Sequence, residues 1–230
     1  MEQTLERSVG SMGSVCRTYR FLPEDIPRLA EFDWNRLARR VFIDPVSGLI
    51  ALMSPSSDHE SYANGIDRIV QDLSLVSGIR VVTLGSTRWR RPNDPEKTGA
   101  EPDACYYLGE TAEGRARARR DSAEALAAFE AAHPPDLVVE VERSHGDRGK
   151  PHFYREIGVP EMWRLDLGPD GLEIEILDLK APDGPAQLTA SAVLPLCTPD
   201  FVRGALELAV DGRLRELDEM IANAASAERQ

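Results

Sequence analysis

The fold is decided by the stretch from Pro135 to Trp163, which has the sequence PDLVVEVERSHGDRGKPHFYREIGVPEMW. Side chains alternate between the two faces of a strand, so one face is apolar and consists of Leu137, Val139 and Val141. The other face carries the acids Asp136, Glu140 and Glu142 beside Val138. A strand this apolar is normally covered on both sides, and buried carboxylates are costly to desolvate unless a positive group compensates them. The stretch therefore predicts a core strand with an acidic site, for which a metal ion is the simplest partner.

The residues after this strand predict a turn and a short helix. Polar residues and glycines from Ser144 to Gly149 end the strand, and Lys150 to Ile157 has a helical pattern that Gly158 stops. A chain reversal of this kind can bring Lys150 back over the acidic face.

Length and charge limit the classes to which the protein can belong. Its 230 residues, 42% of them hydrophobic, suffice for one compact domain. We expect a loose leader over 1–18, one main domain over 19–210, and a C-terminal helix and tail over 211–230. The net charge of -12 argues against broad, non-specific adhesion to nucleic acid. A nucleic-acid partner would therefore have to meet local basic contacts.

The cysteines and the N-terminal residues indicate a cytoplasmic protein. Cys16, Cys105 and Cys197 are far apart, form no metal-type pair and suggest buried thiols in a reducing compartment. The first residues, MEQTLERSVGSMGS, lack the apolar core of a signal peptide. No apolar run approaches the roughly 20 residues of a membrane helix, so we expect no membrane partner.

The N-terminal half is predicted to contain helices followed by a hairpin. Pro23 begins one or two short helices that end before Arg40. The apolar runs Val41–Ile43 and Leu49–Met53 then predict two antiparallel strands, because the residues between them, Asp44 to Gly48, are rich in turn formers.

A packing helix follows, with Ser57 or Asp58 as its cap and Gly78 as its end. Its apolar positions recur at helical spacing and are Tyr62, Ile66, Ile69, Leu73 and Val76. His59 lies in the first turn near this apolar face, whereas Glu60 points away from it. A histidine so placed is more often a satisfied core residue, and contact with a substrate phosphate or water is the alternative. Glu60 is most simply a solvated acid that suits the helix dipole.

Two further strands are predicted over Arg80–Leu84 and Ser86–Arg91, separated by Gly85. Alternation places Arg88 and Arg90 on one face of the second strand. Arginines beside an acidic site are suited to phosphate contacts, and a solvated strand face is an equally good interpretation.

The rest of the chain continues the alternation of strands and helices. Asp103 stands at the start of a short strand that ends at Leu108, and an Ala- and Arg-rich helix follows over Gly114–Ala132. Its basic first turn is most simply a solvated helix end, with DNA contact as the alternative. The C-terminal predictions are strands over Glu161–Leu167, Leu172–Leu179 and Leu188–Leu196 and an amphipathic helix over Leu214–Ala224.

Asp103, Glu140, Glu142 and Lys150 form a set suited to the hydrolysis of phosphodiester bonds. That reaction needs a divalent cation to neutralise the non-bridging oxygens and to lower the pKa of an attacking water, and carboxylates are ligands that Mg²⁺ prefers. A lysine adds positive charge near the phosphorus or orients the water.

The motifs also carry a resemblance to a known family. In order they are LIALMSPSSDHE (49–60), GSTRWRR (85–91), EPDACYYL (101–108), PDLVVEVE (135–142), Lys150, Tyr154 and GVPEMWRLD (158–166). The series resembles the Uma family of putative restriction endonucleases, within the nuclease superfamily named for its PD-(D/E)XK motif. The resemblance extends from about Phe21 to beyond Leu179. It implies an α/β fold with a restriction-endonuclease-like mixed β-sheet flanked by helices and an active site at the split edge of the sheet, so that 19–210 forms a nuclease-like domain. The turn signals described above add antiparallel hairpins to this fold.

The resemblance also implies roles for individual residues. Asp103 matches the superfamily's motif aspartate and Glu140 its second acid, both as ligands of Mg²⁺, with Mn²⁺ as a possible substitute. Two residues after Glu140, where the superfamily usually has its lysine, this chain has Glu142, so Lys150 is implied to supply the amine from the helix. Glu142 is then a third ligand or an outer-sphere group, and Asp136 belongs to the turn into the strand.

Three functional hypotheses follow. The first is a metal-dependent endonuclease that hydrolyses DNA. We expect it to act as a homodimer, because two cuts in duplex DNA need two centres. The second is a catalytically weak module that keeps the fold to bind or regulate a partner, which the acidic net charge and the displaced lysine favour. The third is a nuclease for RNA or for a modified DNA end.

Overall fold

The structure, a computed structural model, describes residues 15–22, 40–44, 48–54, 56–91, 99–142, 149–169 and 171–228. The strands are β1 Val15–Arg20, β2 Arg40–Asp44, β3 Leu49–Ser54, β4 Val81–Thr83, β5 Ala104–Leu108, β6 Leu137–Glu142, β7 Glu161–Gly168, β8 Gly171–Asp178 and β9 Ala186–Leu188. The helices are α1 Ser57–Ser77, α2 Gly109–Asp121, α3 Ala123–Ala132, α4 Lys150–Glu156, α5 Pro199–Val210 and α6 Leu214–Glu228.

The main sheet has six strands in the order β4-β5-β6-β7-β8-β9. Strands β6 and β7 pair in parallel, and the other neighbours in this sheet are antiparallel. A parallel pair requires a crossover connection, and α4 lies on the connection between β6 and β7. The chain therefore has the α/β fold with a mixed sheet flanked by helices that the resemblance implied.

Both faces of the central strand β6 are buried, as its sequence predicts. Leu137, Val139 and Val141 belong to one core cluster, which also contains buried residues of α1, α5 and α6. Val138 lies in a second cluster on the opposite face, together with Ala112 of α2 and residues of α4. Apolar area removed from water on both faces stabilises the sheet between its helices. The acidic face of β6 is therefore the face covered by α4.

A second, three-stranded sheet has the order β1-β3-β2. Its β2 and β3 are antiparallel, with Ile43 opposite Ile50, which confirms the predicted hairpin. Residues 15–18 were predicted to belong to a loose leader, and this was wrong, because Val15–Arg20 pairs with β3 as a strand. The remainder of the leader and the helices predicted between Pro23 and Arg40 lie outside the described residues.

Helix α1 confirms the predicted packing helix. Its cap is Ser56, one residue before the first predicted position, and the Ser56 side chain accepts a hydrogen bond from the backbone N–H of His59. Gly78 ends the helix at φ 67°, a backbone conformation that favours glycine. The buried face of the helix includes Ile66, Ile69 and Leu73.

Three predicted elements differ from the structure. The helix predicted over Gly114–Ala132 is two helices, because Ser122 has an extended backbone and its side chain caps α3 through the N–H of Ala125. The strand predicted over Ser86–Arg91 is reduced to a single bridge between Trp89 and Ala100.

The strand predicted over Leu188–Leu196 ends at its first residue, since β9 stops at Leu188. Polar groups in the following segment bond locally or to a side chain instead of to a neighbouring strand. The N–H of Ala192 donates to Glu161, and the N–H of Leu194 donates to the hydroxyl of Ser191. Helix α5, which directly follows, was not predicted.

Other predictions from composition and pattern can be compared with the described part of the chain. Cys105 and Cys197 are buried free thiols, in agreement with a packing role. The hairpin β7–β8, the helix α4 and the terminal helix α6 confirm the predicted elements. Within the described ranges, no helix combines the length and the apolar character that a membrane crossing needs.

Candidate active site

The candidate site lies where β5 begins beside the second half of β6. These strands are antiparallel, and their last pair at this end is Ala104 with Val139. The backbone N–H of Asp103 also donates to the carbonyl of Val139 at 2.9 Å. Continuing the register by one residue places Asp103 beside Glu140. By alternation both acids fall on the face of the sheet that Val138 and Cys105 occupy.

Glu140 is held by two donors from α4. Its carboxylate is 1% exposed and accepts one hydrogen bond at each oxygen. The ammonium of Lys150 lies 2.6 Å from Oε2, and the hydroxyl of Tyr154 donates to Oε1 at 2.5 Å. Lys150 and Tyr154 are four residues apart on one helix, so both project from the same face of α4 towards the strand. The structure therefore brings Glu140 and Lys150 together as the sequence predicted.

Asp103 is held by the neighbouring strand and by α1. Its Oδ2 accepts a hydrogen bond from the backbone N–H of Val141 at 2.6 Å. The same oxygen lies 3.2 Å from Nε2 of His59. Both side chains are almost fully buried, with exposures of 8% for His59 and 3% for Asp103. His59 therefore connects the first turn of α1 to the start of β5.

The other predicted residues occupy different positions. Glu142 is buried at the end of β6, on the same face as Glu140 by alternation. Arg88 pairs with Glu101, its Nη2 lying 2.6 Å from Oε1, and Arg90 is exposed. Within the described residues, no ion pair joins either arginine to the carboxylates of the site.

Asp136 has the structural role that was predicted for it. Its Oδ2 accepts hydrogen bonds from the backbone N–H of Leu108 and from the hydroxyl of Thr111. It therefore joins the start of β6 to the beginning of α2, at the opposite end of β6 from Glu142.

The surroundings of the site alter the acidity of two neighbouring groups. Burial raises the pKa of Tyr154 well above its ordinary value, and the negative charge of Glu140 raises it further. Burial also raises the pKa of Cys105 to about 12. Both groups are consequently protonated near neutral pH, and Tyr154 is a permanent donor to Glu140.

The donor set fits a Mg²⁺ ion held by two carboxylates. Lys150 already places a cation against Glu140, which shows that this position favours positive charge. Among the residues that the structure describes, no group of three or more His, Cys, Asp and Glu side chains is arranged to hold a metal. Two carboxylates are nevertheless sufficient protein ligands for Mg²⁺, because the ion usually keeps water and substrate phosphate in its remaining positions. Asp103 and Glu140 are the residues that would hold it.

Sequence reasoning missed the role of Tyr154 and gave His59 a different one. Tyr154 was noted only as part of a motif, and His59 as a substrate contact or a core residue. The signal for Tyr154 was its spacing of four residues from Lys150, which places both side chains on one helical face. The contact of His59 with Asp103 had no comparable signal, because it depends on how α1 packs against the sheet.

A comparison with protein-family models gives a match over residues 30–211, to Uma2, described as "Putative restriction endonuclease". The chain belongs to the Uma2 family. The match contains Asp103, Glu140 and Lys150, and it spans the strands β2 to β9 and the helices α1 to α5. The mixed sheet is therefore the restriction-endonuclease-like fold of an Uma2 protein. A search of the curated proteins gave no match.

Proposed function

We propose that this Uma2 protein is a metal-dependent endonuclease that hydrolyses DNA phosphodiester bonds. The observation that supports the proposal best is the buried carboxylate of Glu140, which lies beside Asp103 and is bonded to the ammonium of Lys150 at 2.6 Å. A structural ion pair would not require a second buried acid on the neighbouring strand. Two acids and an amine at one end of a sheet are the groups that phosphodiester hydrolysis needs.

Each residue has a defined part in this proposal. A bound Mg²⁺ would neutralise phosphate charge and lower the pKa of an attacking water. Asp103 is oriented by the N–H of Val141, and Glu140 by its two donors on α4, so neither acid must reorganise when substrate arrives. Lys150 can transfer one of its three N–H donors to a phosphate oxygen while it stays near Glu140.

Cleavage of supercoiled plasmid DNA tests the proposal. The wild-type protein should convert the plasmid to nicked or linear forms with Mg²⁺ or Mn²⁺, and EDTA should abolish the reaction. Asp103→Asn and Glu140→Gln should reduce cleavage to background, whereas the exposed-site control Glu219→Gln should match the wild type. Cleavage that persists in EDTA or in Glu140→Gln would refute the proposed chemistry.

The second candidate is a catalytically weak module that binds or regulates a partner. The observation that favours it is the direct pairing of Lys150 with Glu140, since this ammonium occupies an oxygen that a metal ligand would offer. Such a module would bind duplex DNA or another partner with equal affinity in the presence of Mg²⁺ or EDTA and would not cleave it. Filter binding and plasmid cleavage on the same preparation separate the two candidates.

The substrate and the assembly belong to the same proposal. Parallel reactions with labelled duplex DNA and RNA would distinguish a DNA endonuclease from the alternative of an RNA nuclease. We expect a homodimer, because two cuts in a duplex need two centres. Light scattering of the eluted protein would measure its mass directly.

A further inference from the structure

The carboxylate of Glu140 receives two different kinds of donor from the same helix. The ammonium of Lys150 contacts Oε2 at 2.6 Å, and the phenol of Tyr154 contacts Oε1 at 2.5 Å. An ammonium group rotates freely and carries three equivalent donors, so it attracts the carboxylate without fixing its plane. A phenol has one donor at the end of a rigid ring.

The ring of Tyr154 is itself held in place. Its side chain is 0% exposed, and it packs edge-on against Phe153, with ring centroids 5.6 Å apart and an interplanar angle of 77°. Both aromatic residues lie in the core cluster between α4 and the sheet, next to Val138. The direction of the hydroxyl is therefore determined by core packing rather than by the charge of Glu140.

We propose that Tyr154 is a positioning residue that fixes the orientation of Glu140 for binding a divalent cation. The inference rests on the proposed function, in which Glu140 is a metal ligand. Tyr154 holds one carboxylate oxygen in place, and Lys150 can then move towards a substrate phosphate without releasing the acid. Tyr154 itself contacts neither the substrate nor the reacting atoms.

The chain offers a closely matched control in Tyr106. This tyrosine is also 0% exposed, and its hydroxyl donates to the carboxylate of Asp67 at 2.6 Å. Tyr106 belongs to the core cluster on the opposite face of the sheet, away from the acidic face of β6. Tyr154→Phe and Tyr106→Phe therefore each delete one hydrogen bond from a buried phenol to a carboxylate, but only the first touches the candidate site.

Titration of the full-length protein with Mn²⁺ in the absence of DNA tests the inference. Calorimetry should give Tyr106→Phe a dissociation constant within about twofold of the wild type. Tyr154→Phe should raise that constant by about tenfold to a hundredfold, the usual effect of removing a hydrogen bond to a metal ligand. Equal dissociation constants for the two variants would overturn the inference, as would the absence of Mn²⁺ binding to the wild type.

A measurement without substitution at Tyr154 covers the case in which that variant fails to fold. The chain has 5 tyrosines, so incorporation of fluorotyrosine gives a small set of ¹⁹F signals that variants of the other four can assign. Paramagnetic broadening by Mn²⁺ should be strongest at Tyr154 and weaker at Tyr106. Stronger broadening at Tyr106 would overturn the inference.

Cleavage assays on the same samples separate this inference from the proposed function. Wild-type cleavage together with an unchanged Mn²⁺ affinity in Tyr154→Phe would refute the positioning role and leave the nuclease proposal intact. Weakened Mn²⁺ binding in Tyr154→Phe without any cleavage by the wild type would support the positioning role and refute the nuclease proposal.

Discussion

Replacement of Lys150 by methionine removes the positive partner of Glu140 while it keeps most of the side-chain volume. The pair is deeply buried, with side-chain exposures of 4% for Lys150 and 1% for Glu140. Removing one partner of a buried ion pair destabilises a protein by about 3–5 kcal/mol, because the other charge stays buried without compensation. Tyr154 still donates to Glu140 in the variant, so we expect the lower end of this range, about 3 kcal/mol.

Urea unfolding followed by circular dichroism measures this change. Arg215→Met is the matched control, since it breaks the ion pair between Arg215 and Glu219. These two side chains are 91% and 59% exposed, respectively. Such surface pairs contribute about 0–1 kcal/mol, so the control should unfold almost as the wild type does. The double variant Lys150→Met with Glu140→Gln should be more stable than Lys150→Met alone, because it removes the uncompensated charge.

A loss below about 1 kcal/mol for Lys150→Met would refute this reasoning, since it would equate the buried pair with a surface pair. A double variant that is less stable than Lys150→Met would also contradict it. In the presence of Mn²⁺ the variant should regain stability, because a bound cation compensates Glu140 in place of the lysine. Cleavage by Lys150→Met should nevertheless be slower than by the wild type, and unchanged turnover would remove Lys150 from the mechanism.

Three further predictions concern the core, the first helix and a buried thiol. Ile66→Ala should lower the free energy of unfolding by about 2–5 kcal/mol, because Ile66 is fully buried. The control Leu75→Ala, at a residue 80% exposed, should change it by less than about 0.5 kcal/mol. Similar losses for the two variants in urea unfolding would contradict the assigned core. His59→Gln should weaken Mn²⁺ binding in calorimetry, because the imidazole contacts Asp103 at 3.2 Å, and an unchanged affinity would show that this contact is only structural. The pKa of Cys105 is raised from 9.0 to about 12, so its contribution to stability is complete below pH 9 and is lost as the pH rises towards 12. In urea unfolding between pH 9 and 11, the free energy of unfolding of Cys105→Ala should therefore fall less steeply with pH than that of the wild type. The two slopes should differ by up to about 1.4 kcal/mol per pH unit, and equal slopes would refute the raised pKa of Cys105.

The elements that were predicted correctly are those whose signals are local. The alternation over Leu137–Glu142 and the helical spacing over Ser57–Ser77 can each be recognised within one short stretch of sequence. Strand β1 was missed because its sequence lacks a clear period and its pairing partner is distant in the chain, with Arg20 opposite Leu49 and Val15 opposite Ser54. Helix α5 was missed although Thr198 and Pro199 form an ordinary capping signal, so that omission was not imposed by the physics.

The break between α2 and α3 illustrates a competition that sequence patterns resolve poorly. Alanine and arginine before Ser122 and alanine after it favour a continuous helix, so helix propensity predicts one element. A serine side chain can instead cap a new helix, and here it accepts a hydrogen bond from the N–H of Ala125. Packing of the two helices against each other selects the broken arrangement, which includes the pairing of Arg115 with Glu130.

The charged residues of the candidate site could be predicted from the sequence, but several of their contacts could not. Asp103, Glu140 and Lys150 were identified from motifs, and the pleat placed Glu140 on the acidic face. The contacts of Tyr154 and His59 depend on the packing of α4 and α1 against the sheet, which is a long-range property. Arg88 illustrates the reverse case, because its pairing with Glu101 makes the solvated-face interpretation of this strand segment the better description.

Because β6 and β7 pair in parallel, a long connection joins them, and the amine of Lys150 lies on this connection whereas Glu140 lies on β6 itself. The connection from Glu142 to Glu161 contains α4. Connections of this kind can differ in length without any change in the strands that they join. An insertion there would move Lys150 relative to Glu140 while the pleat keeps both acids in place. A lysine at position 142 would have no such freedom, since its direction would be fixed by the strand. An engineer could therefore adjust the reach of the amine through loop length alone, and natural variation has the same route open to it.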